Sequence, residues 1–355
     1  MCKPASEVAN LTYIESYSTR ARSMLLWRYT QGMLTLTPRA IEILYQGTLD
    51  SIAEAWCVSH YPASGYMAAA RAEIYATGNA PDVVKAAAMH GSQQADPVRA
   101  DAVLIAGEID SAGADNLRSA AHAALERVGM VAPVIRLQSG ATAYCLGALD
   151  SARDQAVRLA RAIADSGAKT VIADGAQTLW ALRILYPALN VTLPDGVQIT
   201  SLVAALAEAL QPEQLPRFTG VKAFIHDGRA AALVGDSLAK AEAIQPGFNG
   251  DEQALGTGAV YDVPRQLADR MGFIRVYSVW SRSLARSSGA DDGLHLTYPD
   301  LAEGLARQRL EHIKRIGAEV VLTESPLSAA HLARYADQVG LKVYWLPDLI
   351  ARGAK

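Results

Sequence analysis

Two stretches of this chain carry the same order of signals for a strand, a turn and a helix. The later stretch is Gly317–His331, and the earlier one, Gly167–Ala181, aligns with it without a gap. Each begins with a glycine that ends a helical pattern, continues as a short apolar run and reaches a small-residue turn before the next helical pattern. Apolar strands that alternate with helices are typical of parallel βαβ units. The repeat therefore predicts an α/β chain that arose by internal duplication.

The same alternation extends through most of the chain and predicts its domains. Further short apolar runs occupy 102–106, 133–137, 197–202, 221–225, 274–278 and 341–345. They predict two duplicated βαβ domains with parallel sheets, at residues 98–212 and 213–355. Residues 1–97 show helical periodicity without strand alternation, so an all-helical N-terminal region is expected. The segment 231–256 has no counterpart in the first half and is predicted to be an inserted loop.

Composition narrows the class of partner and the compartment. A chain of 355 residues is long enough for two or three domains, and half of its residues are apolar. The formal net charge of −3 gives no reason to expect a nucleic acid or an anionic membrane as a partner. No apolar run approaches the roughly 20 residues that cross a bilayer, and the N-terminus lacks the apolar segment of a signal peptide. A cytoplasmic protein is expected, with any membrane association made through partners.

Ligands of open α/β sheets bind beyond the carboxyl ends of the strands, so the turns after the strands are the candidate sites. In the second half, His226-Asp-Gly-Arg229 and Tyr261-Asp-Val-Pro-Arg265 are followed by the turns Ser287-Ser-Gly289 and Ser325-Pro-Leu-Ser328. These motifs resemble those of the cysteine-rich (CCG) domains in the iron–sulfur subunits of glycolate oxidase, lactate-utilisation proteins and heterodisulfide reductase. The family has His-Asp-Pro-Cys, Tyr-Asp-x-Pro-Arg, Cys-Cys-Gly and Cys-Pro-x-Cys at the corresponding places.

The first half resembles the same family at three turns. Gly107-Glu108 stands for the family's Gly-Cys, Gln138-Ser-Gly140 for Cys-Cys-Gly, and Gly175-Ala-Gln-Thr178 for Cys-Pro-x-Cys. The helical N-terminus resembles the family's ferredoxin-like region through Glu15–Arg20 and Cys57–Pro62, where only Cys57 of a cluster motif remains. A first cluster motif has Cys2 as its only trace.

The departure from the family pattern decides what the resemblance implies. None of the ten positions at which the family has cluster-ligand cysteines is a cysteine here: Glu108, Gln138, Ser139, Gly175, Thr178, Arg229, Ser287, Ser288, Ser325 and Ser328. Iron–sulfur clusters need thiolate ligands, usually four for each cubane. These positions are therefore interpreted as vestigial, and no cofactor is expected at them.

Other residues suggest a metal site or a nucleophile, and each has a simpler interpretation. His226, Asp227, Asp291, Asp292 and His295 lie in two turns that the fold is expected to bring near each other, and imidazole and carboxylate ligands suit Zn²⁺, Mn²⁺ or Fe²⁺. In the simpler interpretation, His226 and Asp227 are framework residues that close a turn, here called the histidine turn, and Asp291 and Asp292 are exposed to solvent.

The serines of the turns lack a nucleophile elbow and an obvious activating pair, so they are interpreted as relics of cysteines. Arg229 places a cation where the family holds a cluster, and Asp227, Glu324 or a bound anion are its expected partners.

Two functions follow from the resemblance. The first is a non-redox structural or regulatory subunit of an oxidoreductase complex, whose partners are a flavoprotein dehydrogenase or a cluster-bearing iron–sulfur paralogue. The alternative is a binding protein or enzyme that uses the vacated cavity between the domains for a small anion or metabolite. The candidate pocket residues are His226, Asp227, Arg229 and His295.

Overall fold

Two four-stranded parallel sheets form the frame of this computed structural model, which describes residues 3–49, 52–57, 59, 61–91, 96–112, 115–234 and 258–353. The first sheet has the order β2-β1-β3-β4 and the second has the order β6-β5-β7-β8, so the two have the same topology. The strands are β1 Ala102–Ile105, β2 Val134–Ile135, β3 Thr170–Ala173, β4 Gln198–Ser201, β5 Lys222–His226, β6 Ile274–Arg275, β7 Val320–Thr323 and β8 Lys342–Trp345. The predicted α/β fold with parallel sheets is confirmed.

Helices precede, separate and follow the strands. In the N-terminal region they are α1 Glu7–Thr12, α2 Thr19–Thr30, α3 Pro38–Tyr45, α4 Ile52–Trp56, α5 Ala63–Ala76 and α6 Asp82–Ala88. Around the first sheet they are α7 Gly107–Ser111, α8 Asp115–Arg127, α9 Ala141–Cys145, α10 Leu149–Ser166, α11 Ala176–Trp180, α12 Tyr186–Ala188 and α13 Leu202–Ala209. Around the second they are α14 Arg229–Val234, α15 Ala259–Arg270, α16 Leu294–Thr297, α17 Pro299–Arg315, α18 Pro326–Ala336 and α19 Leu346–Arg352.

The starts of several helices follow from local sequence signals. The hydroxyls of Ser18 and Thr37 each accept a hydrogen bond from the backbone N–H three residues later, that of Ala21 or Ala40, and so cap α2 and α3. Ser325 caps α18 in the same way through the Ser328 N–H, and proline follows as the first helical residue.

The predicted helices and strands differ from the structure at the prolines and at the sheet edges. Proline favours the first turn of a helix, so the sequence predicts a helix that begins at Pro264, but this residue lies inside α15, near buried Tyr261 and the ion pair of Arg265 with Asp227. Pro187 lies within α12, which a π-helical turn at Ala181–Leu185 joins to α11. The runs 133–137 and 274–278 form two-residue strands, since only two residues of each run pair with the neighbouring strand, β1 or β5.

The two halves share an apolar core. Leu104 and Ile172 of the first sheet lie in the same buried core as Ile225 and Leu322 of the second. The C-terminal helix α19 packs against α8 of the first half. Alternate strand residues face the opposite side, where Val103 packs with the N-terminal helices. The two halves are therefore joined through helices that share this core, and the predicted boundaries near residues 97 and 212 stay a prediction.

Some sequence-based expectations fall on residues outside this description. Cys2, residues 235–256 of the predicted loop, and Val58 and His60 of the Cys57–Pro62 motif are among them. The first residues of that predicted loop, 231–234, belong to α14. In the part of the chain that the structure describes, no helix is both long and apolar enough to cross a membrane.

Gly140 lies after β2 and Gly289 lies after β6, and at both glycines the backbone passes close to a long helix that follows in the chain, α10 or α17. Gly140 has φ +85 and Gly289 has φ +88, and a Cβ at either would contact a carbonyl oxygen at the start of the following long helix, that of Ala152 or Ala302. Both the backbone conformation and the contact require a residue without a side chain.

Gly289→Ala is expected to destabilise the protein by about 2–5 kcal/mol, because it adds a clash to the cost of a left-handed backbone. Gly317→Ala is the matched control, since Gly317 has the same φ of +88 with nothing within 4 Å of its Cβ position. It is expected to cost only about 1–2 kcal/mol. Equal losses in urea unfolding would contradict the close approach at Gly289.

Candidate functional site

The ten positions that the sequence comparison matched with cysteines lie in the turns after the strands or in the first turn of the helix that follows, and nine of them are buried. Gln138 alone among the ten is half-buried. Its amide donates to the Gly107 carbonyl at 3.3 Å and its carbonyl accepts from Ser111 Oγ at 3.1 Å. Ser139 Oγ, next in the chain, accepts from the Ala141 N–H at 3.4 Å. These turn residues are thus tied to their own half of the molecule.

Two carboxyl groups cross between the halves at the carboxyl ends of the strands. Glu108, after β1, accepts from the Thr178 N–H at 2.9 Å and from Ser325 Oγ of the other half at 3.3 Å. Glu324, after β7, accepts from the Ala176 N–H of the first half at 3.0 Å. Each half therefore supplies a carboxyl to a turn of the other half.

Gly175 leaves room for the Glu108 carboxyl. A Cβ at Gly175 would lie 2.6 Å from Glu108 Oε2 and 2.7 Å from Oε1, so any side chain at this position would displace the carboxyl. The Glu108 side chain thus occupies the space beside the turn that begins at Gly175.

A third carboxyl, that of Asp174, completes this group. Asp174 Oδ2 accepts from the Ile109 N–H at 2.8 Å and Oδ1 accepts from Thr178 Oγ1 at 2.7 Å. Asp174 and Glu324 occupy equivalent places in the two aligned stretches, each directly before its turn. Sequence reasoning missed both residues, although the repetition of an acid at the end of a buried strand was visible in the alignment.

Burial favours the neutral form of these three carboxyls. It raises the pKa of Glu108 well above its usual value, and the neighbouring Asp174 and Glu324 add to that shift. Burial also raises the pKa of Asp174 to about 7, although the hydrogen bond from Thr178 acts to lower it. The pKa of Glu324 rises to about 8, first through burial and then through the nearby Asp227. Glu324 Oε1 is buried without a hydrogen-bond partner among the described residues.

Hydroxyls and a carboxylate hold the serine turn after β6 together. Asp291 Oδ2 accepts from Ser287 Oγ at 2.6 Å and from the Ser288 N–H at 3.0 Å. Ser288 Oγ lies 3.1 Å from Ser328 Oγ, and the carboxylate of Glu7 in α1 accepts from the Ser287 N–H at 3.0 Å. These serines therefore satisfy backbone and carboxylate groups.

Arg229 binds groups that the sequence did not indicate. Its Nη1 lies 2.8 Å from Asp292 Oδ1, its Nε donates to the Leu49 carbonyl, and Asp292 Oδ2 accepts from the Leu49 N–H at 2.6 Å. The predicted pairing with Asp227 or Glu324 is wrong. The interpretation of Asp291 and Asp292 as solvent-exposed is also wrong, because both are buried, at 9% and 3% exposure.

The framework interpretation of the histidine turn agrees with the contacts of Asp227. The Arg265 guanidinium donates two hydrogen bonds of 2.8 Å to its carboxylate, and the Arg282 N–H donates a third at 2.7 Å. Burial acts to raise the pKa of Asp227, but the charges and hydrogen bonds of Arg265 and Arg282 together outweigh it and hold the pKa below its usual value. Asp227 is thus an ionised structural residue that joins this turn to α15.

The two histidines occupy separate environments. Burial, and then Arg309, lowers the pKa of His226 to about 3, and its Nδ1 accepts from Arg309 Nε at 3.3 Å. Burial, and then His331, lowers the pKa of His295 to about 4, with the two rings 6.2 Å apart. No group of three or more His, Cys, Asp and Glu side chains within the described residues is arranged to hold a metal ion.

Comparisons with known proteins bear on the fold alone. No protein-family model and no curated protein matches the chain. A crystal structure of a hypothetical protein from Helicobacter pylori superposes with a TM-score of 0.61 at 11% sequence identity. The similarity covers 94% of this chain and 67% of that chain.

Replacing Glu324 by glutamine tests the buried carboxyls through the pH dependence of stability. Between its ordinary pKa of 4.5 and about 8, the unfolded chain releases the Glu324 proton while the folded protein keeps it. The contribution of Glu324 to stability is therefore present below pH 4.5 and is lost as the pH rises through about 8. Glu324→Gln is expected to leave stability at pH 5 nearly unchanged and to raise it at pH 8.5 by about 1–4 kcal/mol.

Urea unfolding at both pH values measures this difference. Glu311→Gln is the control, because it removes one acid from the exposed face of α17. A Glu324→Gln variant that is destabilised equally at both pH values would contradict the assignment of a neutral, buried carboxyl.

Proposed function

We propose that this chain is a non-redox structural or regulatory subunit of an oxidoreductase complex. It would be a homologue of the CCG-domain iron–sulfur subunits that has lost the cluster ligands. Its two halves would be duplicated CCG-type domains at 98–212 and 213–355, and residues 1–97 would be the remnant of a ferredoxin-like region. Its partners would be a flavoprotein dehydrogenase subunit, a cluster-bearing iron–sulfur paralogue, or both.

Motifs and topology support the relationship. The second half keeps the framework residues of the family, and these have structural roles: Asp227 pairs with Arg265, and Tyr261 is fully buried beside them. The two sheets have the same strand order, as a duplicated domain requires. The glycines of both Cys-Cys-Gly positions, Gly140 and Gly289, adopt the same left-handed conformation.

The single observation that carries the proposal is the way the former ligand positions are filled. Iron–sulfur clusters need thiolates, and the ten positions offer none. Glu108 lies against Gly175 and Ser325, while Ser288 and Ser328 contact each other. Side chains at these positions form buried hydrogen bonds within the halves and, through Glu108 and Ser325, between them, which favours a scaffold.

The same packing weighs against the alternative, a ligand pocket in the place of the clusters. Arg229, the cation that would attract an anion, is buried at 8% exposure and faces Asp292. Of the proposed pocket residues, His226 and Asp227 already contact Arg309 and Arg265. Binding an anion there would require separation of buried ion pairs, which costs several kcal/mol.

Purification of the tagged chain from its native host tests this function. The expected result is stoichiometric co-purification with a flavin- or cluster-bearing protein, with the visible absorption assigned to that partner after the subunits are separated. Isolation of a partner-free monomer from the native host would contradict the proposal.

A further inference from the structure

An open groove between α2 and α5 carries aromatic side chains far from the buried turns. Trp27 and Tyr29 of α2 line one side, and Tyr61 and Tyr66 line the other. The cavity has a volume of about 410 Å³, which lies in the range of small-molecule sites. Trp27, Tyr61 and Tyr66 are 51%, 40% and 52% exposed, so a large part of each side chain is accessible to a ligand.

The aromatic rings of the groove are held in position by contacts with one another and with the helices. Tyr61 and Tyr66 stack with ring centroids 5.2 Å apart and an interplanar angle of 28°. The Tyr29 hydroxyl donates to Glu73 Oε1 at 2.7 Å and so ties α2 to α5. Buried Leu26 contributes an apolar floor. A ligand would therefore meet ring faces and aliphatic carbon on most sides.

Glu73 gives the groove a charge. Its carboxylate lines the cavity, and no lysine or arginine pairs with it among the residues that the structure describes. The Tyr29 hydroxyl donates to Glu73 Oε1, and this hydrogen bond raises the pKa of Tyr29. A carboxylate and electron-rich ring faces both attract cations.

The chemistry of the groove selects among cations. A guanidinium carries five N–H donors and a primary ammonium three, and each donor needs an acceptor when it leaves water. Beside Glu73, the side-chain acceptors that line the groove are the hydroxyls of Thr30 and three tyrosines, and much of the remaining lining is aromatic or aliphatic carbon. A fully alkylated ammonium has no N–H donor, and aromatic side chains recognise such ions through their ring faces.

We propose that the groove formed by Trp27, Tyr29, Tyr61, Tyr66 and Glu73 binds a small quaternary ammonium compound. The site lies in the N-terminal helical region and does not depend on the proposed function of the whole chain. It gives this region a binding role separate from the buried turns.

Calorimetric titration of the full chain with choline and with its neutral isostere, 3,3-dimethyl-1-butanol, tests the proposal. The two probes have nearly the same shape, so their difference reports the charge. Choline is expected to bind at millimolar concentration or below, about tenfold more tightly than the isostere. Equal binding of the two probes, or no heat from choline, would overturn the proposal.

Variants locate the site. Trp27→Ala is expected to weaken choline binding about tenfold, and Glu73→Gln, which keeps the acceptor for Tyr29, roughly threefold. Tyr13→Ala is the control, because Tyr13 is 94% exposed and lies outside the groove. Thermal melting of each variant checks that the fold is kept. Tighter binding of acetyl-arginine amide than of choline would also overturn the assignment, since it would identify a guanidinium site.

Discussion

The structure depends on the exchange of buried carboxyls between its two halves. Glu108 reaches the Ser325 hydroxyl of the second half, and Glu324 reaches the Ala176 N–H of the first. Both groups lie at the carboxyl ends of strands, where open α/β sheets place their ligands. Because burial keeps these carboxyls largely neutral, they act as hydrogen-bonding groups and not as an open charged site. The carboxyl ends of the strands, where such folds usually bind ligands, carry contacts between the two halves in this protein.

The N-terminal helices are fixed to the same region by charged contacts. Arg229 and Asp292 hold the carbonyl and the N–H of Leu49, and Glu7 accepts from the Ser287 N–H. Buried Arg71 donates to the carbonyls of Leu44 in the N-terminal region and of Cys145 in the first half. Since these ions are buried, removal of one partner leaves a charge without compensation, which is strongly destabilising. All three parts of the chain therefore meet at the turns after the strands.

The sequence predicted the frame of this structure better than its polar contacts. The strand β3 lies within the stretch Gly167–Ala181, for which a strand was predicted because Val171, Ile172 and Ala173 come between a helix-ending glycine and a turn. Edge strands β2 and β6 were predicted too long, since local pattern does not reveal how many residues of a run pair with the neighbouring strand. The partners of Arg229 lie far away in the chain, at Asp292 and Leu49, and no local signal connects them. Asp174 and Glu324 were within reach, because the repeat aligns them.

We propose that side chains of this protein, and not metal clusters, fill the turns after the strands. The most direct test is the iron and acid-labile sulfide content of the purified chain after anaerobic reconstitution with iron and sulfide, measured together with absorption near 400 nm. We expect less than about one tenth of an iron atom for each chain and no absorption band at about 400 nm, because the turns lack thiolates. Close to four irons for each chain, with a stable absorption band, would contradict it.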